Sequence, residues 1–347
     1  MTQIDLRLSV APMMDWTDSS CRYLLRLISQ HTRLYTEMVP AQALWHAGAE
    51  RFLHHHPAEN PVVLQLGGSD PKHLAYGASL AMEWGYDEVN LNVGCPSDRV
   101  QAGRFGACLM KEPEYVGELV QTMGAATSLP VTVKSRIGVD DTDSYEAFHR
   151  FADIMLKAGA SALIVHARKA WLKGLSPKQN REVPPLRYDY VSAIKNALPA
   201  LPIVLNGGIK TLEESLPWLE TLDGVMIGRA AYHDPWILAA ADSRIFGHQK
   251  DTELTRRAVA QGYRDYVLAT RAPDVPISRF TRHLIGLYQG QPGAKTWRRM
   301  LSEGAAHKGA GIEVIDRAID WMDQLEAKEL DTIGMGDTSD HLERLVP

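Results

Sequence analysis

Apolar residues in the first two thirds of the chain fall in short runs separated by amphipathic stretches. The runs are LSVAPM (8–13), RLYTEM (33–38), VVLQL (62–66), DEVNLN (87–92), VTVKS (131–135), ALIVH (162–166), PIVLN (202–206) and GVMIG (224–228). Their length and β-branched content predict strands. Most intervals read as helices, among them SSCRYLLRLIS, KHLAYGASLAMEWG, EYVGELVQTMGAAT, SYEAFHRFADIMLKAG and DYVSAIKNA. Strands that alternate with helices imply a parallel sheet. Eight such units predict an α/β fold, a closed (β/α)8 TIM barrel, over residues 1–245. The alternative is an open doubly wound sheet, but no GxGxxG follows the first run.

From about residue 250 the pattern changes. TELTRRAVAQGYRDYVLATR, ISRFTRHLIGLY, WRRMLSEGAAH and IEVIDRAIDWMDQLEAKEL have helical spacing with no strands between them. They predict a small C-terminal helical domain over 250–330, followed by a Gly- and Asp-rich tail, 331–347, expected to be loose. Two long loops, 136–144 and 169–187, interrupt the barrel, and long loops in a compact fold are usually functional.

Composition narrows the class. The 347 residues are 45% hydrophobic and 23% charged, ordinary for a globular protein. The N-terminal stretch lacks the basic-then-apolar order of a signal peptide, and no apolar run approaches the ~20 residues of a membrane span. Three cysteines, with no CxxC pair, argue against a disulfide framework or structural zinc and fit a reducing cytoplasm. A net charge of −5 excludes a generally basic nucleic-acid binder but not a local basic face. The His54–His56 run lacks carboxylate or cysteine partners nearby and reads as an exposed loop.

A TIM barrel carries its chemistry at the C-terminal ends of its strands. Those ends hold Pro12-Met13-Met14, Glu37, Gln65, Asn90 and Asn92, Lys134, His166, Asn206-Gly207-Gly208 and Gly228-Arg229. The loops after the seventh and eighth strands are the usual phosphate site of the fold. Here paired glycines let backbone N–H groups approach an anion, and Arg229 can grip it in bidentate fashion. An amide, Gln65, and a cation, Lys134, then suit the edges of a ring system such as an isoalloxazine. Residue chemistry alone supports a phosphorylated ligand without selecting one.

Cys95 stands apart from Cys21 and Cys108, which read as small packed thiols. It follows the fourth strand at a Gly-Cys-Pro bend on the same mouth. Three chemical roles are open to it: nucleophile, metal ligand or general acid. No metal partners lie at short spacing. A thiol of ordinary acidity, about 8.5, is protonated at neutral pH and can serve as an acid.

The runs APMMDWTD, VVLQLGGSDP, VNLNVGCPSDRV, GRFGACLM, VTVKSRIGVDD, IVHARKAWLKGLSPKQNREVPPL, LNGGI and GRAAYHDPW resemble the tRNA-dihydrouridine synthases across residues 8–305. LKGLSPKQNREVPPL and HLIGLYQGQPGAKTWRRML resemble the DusA branch, which acts on positions 20 and 20a of the tRNA D-loop. The resemblance implies bound FMN, NADPH as electron donor, hydride transfer from FMN N5 to C6 of a uracil, and Cys95 as proton donor to C5. It assigns FMN contacts to Pro12, Met13, Met14, Gln65, Lys134, His166, Asn206, Gly207, Gly208, Gly228 and Arg229. It places Asn92 on the target uridine and gives tRNA contacts to Lys178, Arg181, Lys295, Arg298 and Arg299.

Charge patterning points the same way. Residues 161–181 hold five Lys or Arg and no Asp or Glu, and residues 278–301 repeat that count. Two acid-free basic stretches in an acidic protein suit phosphate neutralisation. Trp171 and Trp297 lie inside them, the first a candidate base-stacking residue, the second equally suited to a helical core. Other functions fit less well. A small-molecule flavin reductase has no use for the basic stretches. A Schiff-base aldolase centred on Lys134 would need no flavin. A non-catalytic RNA-binding protein leaves Cys95 and the phosphate loops without a task.

Overall fold

The computed structural model describes residues 5–249 and 254–339, with side chains described to 328. Nine parallel strands form one sheet: β1 (Leu8–Val10), β2 (Leu34–Tyr35), β3 (Val39–Pro40), β4 (Val62–Gly67), β5 (Glu88–Val93), β6 (Val131–Arg136), β7 (Leu163–His166), β8 (Ile203–Asn206) and β9 (Gly224–Ile227). Their order is β1-β9-β8-β7-β6-β5-β4-β2, with β3 also paired to β4. A parallel bridge between Ser9 and Arg33, with Val10 N–H donating to the Arg33 carbonyl at 2.9 Å, joins β1 to the start of β2 and closes the barrel.

The ninth strand arises because the run 33–38 does not stay straight. β2 pairs Leu34 with Val62, whereas β3 pairs Val39 with Leu66. The offset drops from 28 to 27, so three residues, 36–38, lie opposite two on β4. This is a bulge. The Thr36 hydroxyl accepts the Gln65 N–H at 3.0 Å across it.

Helices start where polar caps stand. Asp18, Asp70, Ser144 and Thr211 each accept a first-turn N–H, for the helices Ser19–Ile28, Pro71–Glu83, Tyr145–Lys157 and Leu212–Leu219. Inside the barrel, Ala11, Tyr35, Val63, Ile164, Val204 and Met226 pack together as an apolar floor.

The chain divides into two compact units, Met1–Tyr232 with Ile237–Lys250, and His233–Trp236 with Asp251–Pro347. The second contains the helices Arg256–Thr270, Ser278–Leu284, Ala294–Gly304 and Glu313–Ser339. It also claims His233–Trp236 from within the expected barrel span, and Arg256 stacks over Trp236 at 4.5 Å. Its core includes Tyr263, Leu284, Trp297, Leu301 and Ile315, all fully buried. Trp297 is therefore core and not a base-stacking surface, with Nε1–H donating to the Leu284 carbonyl at 2.8 Å. The stretch expected to be loose from 331 continues the last helix through Ser339, and 340–347 lie outside the described residues. The His54–His56 run is not simply exposed: His56 caps the short turn Pro57–Glu59 in a reciprocal bond pair with Glu59.

Candidate active site

Strand alternation decides which residues reach the mouth. Along β5, Glu88, Asn90 and Asn92 alternate with Val89, Leu91 and Val93, and along β6 Thr132, Lys134 and Arg136 do the same. Register sets Asn90 beside both Gln65 and Thr132, and Asn92 beside Lys134. The amides join accordingly. Gln65 Nε2 donates to Asn90 Oδ1 at 2.7 Å, and Gln65 Oε1 accepts from Asn92 Nδ2 at 2.9 Å. Asn92 Oδ1 in turn accepts the backbone N–H of Gly94 at 3.2 Å and of Cys95 at 3.0 Å.

Cys95 is thus held by backbone, not by packing. Its side chain is half-buried, and its thiol donates to Ser97 Oγ at 3.5 Å. Ser97 is the N-cap of the helix Asp98–Ala102, yet its hydroxyl caps no backbone N–H there. Behind the thiol the Cys95 carbonyl accepts Ala107 N–H at 2.9 Å, and Gly106 sits so close that a Cβ there would lie 2.5 Å from that oxygen. Cys21 is buried, and the Cys108 thiol donates to the Phe105 carbonyl at 3.1 Å.

Arg136, one residue beyond the run predicted as the fifth strand, ties the mouth together. Its buried guanidinium donates to the carbonyls of Gly94 at 3.2 Å, Lys169 at 3.2 Å and Asn180 at 2.8 Å. One side chain therefore joins the cysteine loop to two points of the loop 169–187. A signal for it exists in the sequence, because alternation from Thr132 through Lys134 continues to position 136. Asn180 closes the long loop on itself: its Oδ1 accepts Trp171 N–H at 2.7 Å and its Nδ2 donates to the Trp171 carbonyl at 2.9 Å. The loop 136–144 is bound to it through a Val139–Ala170 bridge, and Asp140 Oδ1 accepts Leu172 N–H at 2.9 Å.

The flavin-side candidates gather on β6 to β9 and on the loops that follow them. Lys134 Nζ donates to Asn206 Oδ1 at 3.0 Å, and Asn206 Nδ2 donates to the Met226 carbonyl at 2.8 Å. Gly207 and Gly208 adopt φ of 107° and 84°, which favours glycine. A Cβ on Gly207 would fall 2.5 Å from His166 Cδ2, and one on Gly208 would collide with the Tyr188 hydroxyl. Tyr188, which no sequence pattern marks, donates to the Gly207 carbonyl at 2.7 Å. Arg229 pairs with Glu182 of the long loop at 2.7 Å. Pro12, Met13 and Met14 form the turn after β1, closed by Thr17 N–H donating to the Met13 carbonyl at 3.0 Å, and Met14 is exposed.

Positive charge dominates this corner. Burial pushes Lys134 down to about 7, and the Arg136 charge adds to the shift. Burial, with Arg136 and Lys134 beside it, holds His166 well below its ordinary value. Burial lowers Arg136 to about 10. Arg168 carries a buried Nε with no hydrogen-bond partner among the described residues. A cradle of paired glycines and an orphaned guanidinium N–H fit the phosphate of a group such as FMN, and the half-buried Lys134 fits the edge of its ring.

Of the remaining candidates, Arg181 stands near this cluster, where its charge acts on Arg136 and His166. Lys178 and Arg181 are exposed on the long loop. Trp171 is half-buried beneath Lys169, whose Nζ stands 4.1 Å from the ring centroid. Lys295, Arg298 and Arg299 are exposed at i, i+3 and i+4 on the helix Ala294–Gly304, opposite Trp297 and Leu301. Among the described residues no His/Cys/Asp/Glu group could hold a metal, and no helix is long and apolar enough to cross a membrane.

Residues 9–322 match the family described as dihydrouridine synthase. The chain is 54% identical over 318 residues to the tRNA-dihydrouridine(20/20a) synthase of Xanthomonas axonopodis pv. citri, covering 92% of this chain and 94% of that one. It is 53% identical over 314 residues to the protein of that name from Vibrio cholerae, covering 90% and 95%. For the Escherichia coli K12 protein the identity is 52% over 314 residues, covering 90% of each chain.

Proposed function

The chain belongs to the dihydrouridine synthase family, a family of flavin-dependent oxidoreductases, and on that premise we propose that it reduces the C5=C6 bond of uridine at positions 20 and 20a of the tRNA D-loop. The observation that carries this reading is a thiol whose loop hangs on Asn92 and a cradle of paired glycines beside Lys134 on one barrel mouth. FMN is the bound cofactor and NADPH the reductant, and the relatives' shared name supplies the substrate and the positions.

When bound, FMN supplies the hydride that C6 receives. Lys134, His166, Asn206, Gly207, Gly208, Gly228 and Arg229 hold it, with Pro12, Met13, Met14 and Gln65 completing the set. Lys134 is well suited to the task, because a buried lysine at about 7 takes up a proton readily when an anion arrives. Cys95 gives its thiol proton to C5, so the base gains one hydride and one proton. The thiolate then recovers a proton from solvent, with the Ser97 hydroxyl 3.5 Å away as a hydrogen-bonding partner.

The target base must leave its stack to reach a thiol held this way. Asn92 faces it with the amide N–H not given to Gln65. Lys178, Arg181, Lys295, Arg298 and Arg299 hold the tRNA backbone, and the reaction belongs in the cytoplasm.

The test is anaerobic. Bound flavin is reduced, tRNA lacking dihydrouridine is added, and the return of oxidised-flavin absorbance is followed. Fast reoxidation with tRNA and none with free uridine is the expected result. Reoxidation by small pyrimidines alone would replace this reading with a small-molecule reductase.

A further inference from the structure

The amide chain behind Cys95 continues downward, and every link points the same way. The Gly94 and Cys95 N–H groups donate to Asn92, Asn92 to Gln65, and Gln65 to Asn90. Asn90 Nδ2 donates to Thr132 Oγ1 at 2.8 Å, and the Thr132 hydroxyl donates to Glu88 Oε1. Glu88 is fully buried and is also held by Arg33 Nη1 at 2.9 Å and by the Tyr35 hydroxyl at 3.3 Å. Nothing in the proposed chemistry uses this carboxylate.

An amide is nearly symmetric in shape, so a chain of three amides has two directions of similar packing. In the reverse direction Asn92 would turn its NH2 toward the Gly94 and Cys95 N–H groups, donor against donor. A hydroxyl has one proton, and an ionised carboxylate, as Glu88 is against Arg33, accepts only. As long as Thr132 must give its proton to Glu88, it can only accept from Asn90. That fixes Asn90, which fixes Gln65, which fixes Asn92 in the same direction that the Gly94 and Cys95 N–H groups favour from the loop end.

We propose that Glu88 is a positioning residue that acts through Thr132, Asn90, Gln65 and Asn92 to set the amide direction on which the Cys95 loop hangs. It touches neither cofactor nor substrate. The same direction also decides which end of the Gln65 amide faces the mouth. The inference deepens the proposed site, and its test does not depend on uridine reduction.

The test uses holoenzyme with Thr132→Val, which deletes the hydroxyl and leaves the Glu88–Arg33 pair in place, and Thr132→Ser, which restores the hydroxyl. The readout is iodoacetamide alkylation of Cys95 against pH, followed by peptide mass so that Cys21 and Cys108 do not interfere. Thermal stability and the visible spectrum of the bound flavin accompany it. Thr132→Val is expected to change the Cys95 alkylation rate by about fivefold, the factor that one ordinary hydrogen bond represents, and to shift the flavin band. Thr132→Ser is expected to follow the wild type. A Thr132→Val protein that melts earlier yet alkylates at the wild-type rate, with an unshifted band, would overturn the proposal and leave Thr132 a packing residue. Should Thr132→Val fail to fold, the double variant Arg33→Met with Glu88→Met removes the acceptor of the Thr132 proton without stranding a buried arginine. An unaltered Cys95 profile there would overturn the proposal equally.

Discussion

The side-chain oxygen of Asn92 accepts the backbone N–H of Cys95 at 3.0 Å, on the very residue that carries the thiol. The bend that presents the cysteine is therefore built by a side chain three residues upstream. Asn92→Ala removes that acceptor and strands two N–H groups, a loss of about 1–3 kcal/mol. Single-turnover reoxidation by tRNA is expected to slow by about tenfold or more at unchanged flavin content. Asn92→Asp keeps the acceptor for the loop but sets a carboxylate oxygen against Gln65 Oε1. It is expected to preserve Cys95 alkylation while weakening flavin retention. Stopped-flow absorbance and flavin release on dilution separate the two.

Cys95→Ala tests the acid directly. General acid catalysis contributes roughly 10²–10⁴-fold, and turnover is expected to fall within that range. Flavin content and tRNA affinity are expected to stay, because the hydrogen bond of the sulfur goes to Ser97 and not to a flavin-side candidate. Turnover at the wild-type rate would remove Cys95 from the chemistry.

Lys134 makes a pH prediction whose sign follows from its burial. Its ordinary value is 10.5 and the fold lowers it to about 7. Between those limits the unfolded chain holds more protons, so this group's contribution to stability improves as pH rises from about 7 toward 10.5. Anion binding runs the opposite way, because the anion pairs with the charged form. FMN affinity of the apoprotein is expected to decline from about pH 7 to about pH 9 by at most about tenfold per unit. Lys134→Met is expected to bind more weakly and to flatten the slope. Fluorescence titration of FMN at several pH values reads both, and an equally steep slope in the variant would assign the proton elsewhere.

The barrel is legible in the sequence because strand and helix periods alternate cleanly, and the strand-end candidates then follow from the fold alone. Three features are hidden for physical reasons. The run 33–38 has no internal mark of its bulge, because the extra residue is defined only against β4. Arg136 continues the alternation of Thr132 and Lys134 one step past the run that ends at Ser135, but what it ties together is hidden, because its partners are backbone carbonyls, which leave no trace in side-chain pattern. The direction of the amide chain depends on register across three strands, which spacing within one strand cannot express. Trp297 shows the converse: its basic neighbours suggest a surface, whereas helical spacing sets it opposite Lys295, Arg298 and Arg299.

That opposition makes the helical unit testable. Arg298 and Arg299 point away from the core that Trp297 and Leu301 fill, so removing them leaves the packing intact. Every phosphate that goes unneutralised reduces the slope of log affinity against log salt by about 0.7–0.9. Arg298→Ala with Arg299→Ala is expected to weaken tRNA binding at low salt and to lower the slope by about 1.4–1.8. Melting temperature and flavin content are expected to match the wild type. Filter binding across a salt series gives the slope, and uracil reduction at saturating tRNA should recover, because the arginines hold the substrate without touching the reacting base. A double variant with unaltered affinity and slope would take this helix off the tRNA and leave the exposed Lys178 and Arg181 on the barrel loop to neutralise the phosphates.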